Sequence, residues 1–216
     1  TMVVTADWPG YLQRELEGLL PGAMCMYANG AEGDISTAGA TGPSEFARME
    51  DYGRKLAVKV LDLLPSIETK DNAAFDFSMT TLKLPERVVP EALKDAAGPE
   101  YGLTPENLPA LLDALSPPTS YLGVLRVGDL LAVSTPGEMT SSLGVEIKKA
   151  LQDSGAKHPM IVGLGNEWIS YILPPDEYHK GGYEPGVSFY GETLGPVVVA
   201  QAIDAGKAML VRTPQP

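Results

Sequence analysis

Leu12, Leu16 and Leu19 recur at helical spacing before Pro21-Gly22, which predicts a first helix over residues 9–19. The apolar run 23–28 reads as a short buried strand, and the first six residues as the end of another. Ser44 is a natural N-cap for a second helix whose Met49, Tyr52, Leu56, Val60 and Leu63 fall on a core-facing stripe until Pro65 stops it. Phe75, Phe77 and Met79 alternate with Asp76 and Ser78, the mark of a half-buried strand with its aromatic side inward. Residues 121–126 and 130–134 flank Val127-Gly128-Asp129 and predict an antiparallel hairpin. A helix capped by Thr140 or Ser141 and closed at Gly155, a buried strand over 160–163 and a last helix over 195–209 complete the pattern. Seven prolines between Pro85 and Pro118 make that stretch an irregular excursion with one or two short helices. This alternation predicts an α/β or α+β layered domain built on a mixed sheet, with no linker-like composition dividing residues 1–216.

Composition narrows the function classes. The 216 residues are 44% hydrophobic and 20% charged, enough to bury a core. A net charge of −12 repels phosphate backbones and argues against nucleic acid as a partner. The chain holds no apolar run of the ~18 residues that a membrane helix requires. Cys25 is the single cysteine, so an internal disulfide is excluded and the compartment stays unread. With only His158 and His179, a self-contained three-histidine metal site is excluded too.

Three loops follow the carboxyl ends of predicted strands, where open α/β sheets gather their sites. In Asn29-Gly30-Ala31-Glu32-Gly33-Asp34-Ile35-Ser36 the glycines free backbone donors, and Ser36 stands either in an ordinary turn or at an exposed reactive corner. In Pro136-Gly137-Glu138, the carboxylate either faces a helix N-terminus or serves as a metal ligand or general base. The third loop carries Asn166, Trp168, Tyr171, Tyr178, His179 and Tyr183, tyrosines that either pack or direct a hydroxyl at a metal or an oxyanion.

Taken in order, the first loop, Pro136-Gly137-Glu138, Asn166, Tyr171, Glu177-Tyr178 and Tyr183-Glu184 resemble the neutral/alkaline non-lysosomal ceramidases, a family of zinc-dependent amidases. The resemblance implies Ser36 as an active-site serine, Glu138 and Tyr171 as zinc ligands and Tyr183 as the group that polarises the amide carbonyl. Thr37 stands where the family usually has proline. The family's histidine ligands precede its serine segment, so the resemblance makes residues 1–216 the C-terminal part of one catalytic domain. That domain is incomplete without an N-terminal segment of the same protein supplying histidines. The expected function is zinc-dependent hydrolysis of an N-acyl amide, with a ceramide-like lipid as one substrate class and soluble N-acyl compounds as another. A non-catalytic binding protein of the same fold is the alternative from a different class. The resemblance also admits a secreted or periplasmic setting.

Overall fold

The computed structural model describes residues 3–94 and 101–212 and divides into two compact units, Thr1–Ala28 with Ser36–Asn72, and Asn29–Ile35 with Ala73–Pro216. The chain crosses between them at positions with no linker composition, so the division is invisible to a search for boundaries.

The first unit is a helix pair, α1 (Asp7–Leu19) and α2 (Glu45–Leu63). Leu12 and Leu16 of α1 meet Ala57 of α2, flanked by Trp8, Leu56 and Val60. The approach is close because Gly53 lacks a Cβ, which would stand 2.6 Å from the Trp8 carbonyl oxygen. Ser44 caps α2 as expected, its hydroxyl accepting from the Ala47 N–H at 3.2 Å, and a 3₁₀ turn, Leu64–Ser66, ends the helix at Pro65. The stripe read from the sequence is only partly buried, however: Gly53 and Ala57 are the buried residues of α2, and Leu63 is 61% exposed. The small residues hold the contact because they let the two backbones approach.

Two predicted strands are absent among the described residues. Residues 23–28 are irregular, with Met24 and Met26 exposed, and residues 3–6 carry exposed Val3 and Val4. Neither run has a described strand beside it to pair its backbone, and apolarity without a partner does not make a strand. Thr1, Met2 and the tail 213–216 lie outside the described residues.

The second unit is built on β1 (Phe75–Lys83), β2 (Thr119–Val127), β3 (Leu130–Ser134), β4 (Glu138–Met139), β5 (His158–Val162) and β6 (Tyr171–Ile172). Among its described helices are α3 (Leu108–Leu115), α4 (Ser141–Asp153), α5 (Pro175–Tyr178), α6 (Tyr183–Gly186) and α7 (Leu194–Leu210). The main sheet runs β1-β2-β3-β5, antiparallel until β3 and β5, which are parallel, so the expected mixed sheet and its hairpin are present. Gly128, at φ 56°, turns the hairpin where a side chain would be strained. The excursion supplies a 3₁₀ turn, Glu91–Lys94, and α3.

Helices α4 and α7 cover one face of the sheet, over Leu82, Leu122, Val124, Leu131, Val133 and Ile161. This reverses the expected orientation of β1. Phe75, Phe77 and Met79 lie 48–58% exposed on the other face, while Asp76 is buried. Arg212, just past α7, reaches Asp76 at 3.1 Å and neutralises it, and Leu82, fully buried on the same side as Asp76, fixes the strand's phase. Among the described residues no helix is long and apolar enough to cross a membrane.

Candidate active-site cleft

Glu138 and Tyr171 lie in one cleft because two short strands bring them there. β4 and β6 form a separate parallel ladder with Glu138 opposite Tyr171 and Met139 opposite Ile172. The third loop is knitted onto the second: the Ile169 N–H donates to Pro136 O at 2.8 Å, Gly165 N–H to Thr135 O at 2.9 Å, and Glu138 N–H to Ser170 O at 3.1 Å. Holding this course takes strained backbone. Leu164, Asn166 and Ser170 all have positive φ, and at 117° Ser170 is far from ordinary side-chain-bearing conformations.

The first loop braces the same ladder. Gly33 N–H donates to Met139 O at 2.8 Å, and a Cβ on Gly33 would stand 2.5 Å from the Glu138 carbonyl oxygen. Asp34 accepts from the Ser141 N–H at 2.6 Å and from the Ser141 hydroxyl at 2.8 Å, so an acceptor from the first loop already sits at the start of α4. That leaves Glu138 without the helix-facing role its position suggested. Its Oε1 accepts instead from the Trp168 indole N–H at 2.8 Å, and Tyr171, its partner on the ladder, lines the same cavity. Burial, then Glu138, push the Tyr171 hydroxyl well above the usual phenol range.

Tyr183 begins α6 after Gly181 and Gly182, both at positive φ, and its ring meets that of Tyr171 edge-on at 6.0 Å. Glu138, Trp168, Tyr171 and Tyr183 share the lining of a cavity of about 500 Å³ whose remaining walls include Leu103, Leu111, Val187 and Phe189. The structure therefore brings together three of the four residues singled out from the sequence. The fourth, Ser36, belongs to the other compact unit, where it is exposed in an irregular segment.

Two groups escaped the sequence reading. Trp168, a residue type that beside a turn more often packs into a core, is 45% exposed and bonds Glu138. Glu32, given no role of its own by the sequence, has both carboxylate oxygens buried without a hydrogen-bond partner. It occupies space that Gly163 leaves open. Burial, and secondarily the charge of Glu138, push Glu32 up to about 7. His158 lies exposed at the start of β5, and exposed His179 pairs with Glu192.

Among the described residues no group of three or more histidine, cysteine or acidic side chains could hold a metal. Glu138 and Tyr171, opposite each other on the β4–β6 ladder, nevertheless put a carboxylate and a phenol on one cavity, donor types that fit two positions of a zinc centre.

Fold and cleft together describe an α/β protein whose paired carboxylate and tyrosine come from the segments that follow the parallel strands β3 and β5, the side of such sheets where chemistry usually gathers. The chain belongs to the neutral/alkaline non-lysosomal ceramidase family: residues 39–198 match the family described as "Neutral/alkaline non-lysosomal ceramidase, N-terminal". It is 28% identical over 103 residues to the neutral ceramidase of Pseudomonas aeruginosa, covering 46% of this chain and 15% of that one. With neutral ceramidase 1 of Arabidopsis thaliana it shares 35% over 86 residues, 35% of this chain and 11% of the relative. The crystal structure of the Pseudomonas aeruginosa enzyme has the same fold, with a TM-score of 0.75 at 18% identity over 100% of this chain and 42% of that chain. This chain thus spans less than half the length of the relatives it matches.

Proposed function

We propose that this chain carries part of the active site of an amide hydrolase that cleaves the N-acyl bond of a ceramide-like lipid. The observation that carries the reading is the cluster of Glu138, Tyr171 and Tyr183 at an apolar cavity, within the residues that match the ceramidase family. Glu138 and Tyr171 would hold zinc from one side, with histidines from an N-terminal segment of the same protein completing the set. Bound zinc supplies a Lewis acid for the amide carbonyl and lowers the pKa of a water. Tyr183 donates its hydroxyl hydrogen to the oxyanion that develops on that carbonyl, where a fixed donor stabilises the transition state more than the substrate. Trp168 orients the Glu138 carboxylate through its indole N–H. Ser36 is assigned to the reaction by family resemblance, as nucleophile or substrate-positioning hydroxyl.

The cavity walls favour a lipid over a soluble N-acyl compound. Leu103, Leu111, Val187 and Phe189 offer no charge to a soluble head group and ample apolar surface to an acyl chain. The test is a hydrolysis screen of the intact protein on N-acyl amides of graded chain length, with its zinc content measured in parallel. kcat/KM should rise with chain length, and zinc should be stoichiometric. A protein that binds these amides without cleaving them, or cleaves them without zinc, overturns the reading.

A further inference from the structure

A further polar side chain lines the cleft. Tyr101 lines the same cavity as Glu138, and its hydroxyl lies 2.6 Å from that of Tyr183, at the short end of O–H···O separations. The two rings are tilted at 55° with centroids 6.4 Å apart. Tyr101 is 56% exposed, and the residues that follow it are held by their own contacts. Asn107 donates to Gly102 O at 2.9 Å and accepts from the Thr104 N–H at 2.8 Å, while Leu103 packs against the core.

A phenol carries one hydrogen and can place it in only one bond at a time. Were Tyr183 to donate to Tyr101, its hydrogen would be unavailable to a substrate. With Tyr101 as donor, the Tyr183 hydrogen turns elsewhere, and its oxygen, already accepting, becomes a better donor. A carbonyl oxygen arriving in the cavity adds an acceptor, which selects this second arrangement. We propose that Tyr101 is a positioning residue: it donates to the Tyr183 oxygen and so fixes the Tyr183 hydroxyl with its hydrogen directed at the substrate carbonyl. This rests on the amidase reading, in which Tyr183 stabilises the oxyanion.

The test compares four forms of the intact protein: native, Tyr101→Phe, Tyr183→Phe and the double variant, each assayed for kcat and KM on one N-acyl amide. Tyr101→Phe should lower kcat roughly fivefold, the worth of about one net hydrogen bond, with KM within about twofold of native. In the Tyr183→Phe background the same change should cost nothing, because the group it acts through is gone. An equal loss in both backgrounds marks a merely structural contact and overturns the proposal, as does no loss in either. If Tyr183→Phe is severe while Tyr101→Phe is silent, the positioning role fails and the amidase reading stands. If Tyr183→Phe leaves kcat unchanged, the oxyanion role and the proposal fall together. Phe keeps the exposed ring in place; Tyr101→Leu is the second variant, expected to show the same coupling.

Discussion

Tyr183 and Glu138 line one cavity yet should fail in different ways when a polar atom is removed. Tyr183→Phe is expected to lower kcat by about a hundredfold, the usual cost of an oxyanion donor, with zinc content unchanged. Glu138→Gln is expected to lose zinc, because a neutral amide is a poorer ligand than a carboxylate, and metal analysis after dialysis reads this directly. Glu32 makes a different prediction, on stability. Its folded pKa of about 7 exceeds the ordinary 4.5, so the folded state holds the proton more tightly. Stability is therefore fully present below about 4.5 and is lost as pH rises through about 7. Glu32→Gln cannot titrate; in metal-free protein its urea midpoint should fall less than that of the native protein across that window. Above pH 7 it should be the more stable form by about 1–2 kcal/mol, after allowance for solvent screening of a half-buried group. Glu32 was illegible in the sequence because its environment comes from Gly163 and Glu138, both remote along the chain.

Among the elements, the helices were read well and the strands unevenly, for a physical reason. A helix satisfies its own backbone, so the periodicity and caps of α2, α4 and α7 sufficed to find them within a few residues. A strand depends on its neighbours. Residues 23–28 have the composition of a strand without a partner, while β4 and β6 are two-residue strands that only their pairing defines. The facing of β1 likewise depended on Arg212 reaching Asp76 from beyond α7, which no local pattern encodes. The first loop shows what pairing adds to a turn. Gly33→Ala would force a Cβ against the Glu138 carbonyl oxygen and should destabilise the unit by about 1–3 kcal/mol, with zinc affinity falling as β4 shifts. Asp34→Ala removes the acceptor at the start of α4 and should cost about 1 kcal/mol, seen as a lower urea midpoint with the cleft chemistry retained.

At the scale of the whole molecule, the described residues of the cleft offer two oxygen donors to the proposed zinc, Glu138 and Tyr171, and no cluster of three or more histidine, cysteine or acidic groups. Residues 1–216 alone should keep no stoichiometric zinc after dialysis, since two oxygen ligands leave the usual set of three unfilled. Tight binding by that polypeptide would show that histidines from an N-terminal segment are unnecessary. The net charge of −12 adds that anionic vesicles should retain the chain less than zwitterionic ones, with the difference fading in high salt. The β4–β6 ladder carries a consequence for engineering. Glu138 and Tyr171 are neighbours only because the chain between them, running through α4 and β5, closes on itself like a clasp. Any slack in that circuit opens the clasp. A cavity cut beneath α4 at buried Ile147 or Leu151 would therefore loosen the donor pair, although neither residue lines the cleft.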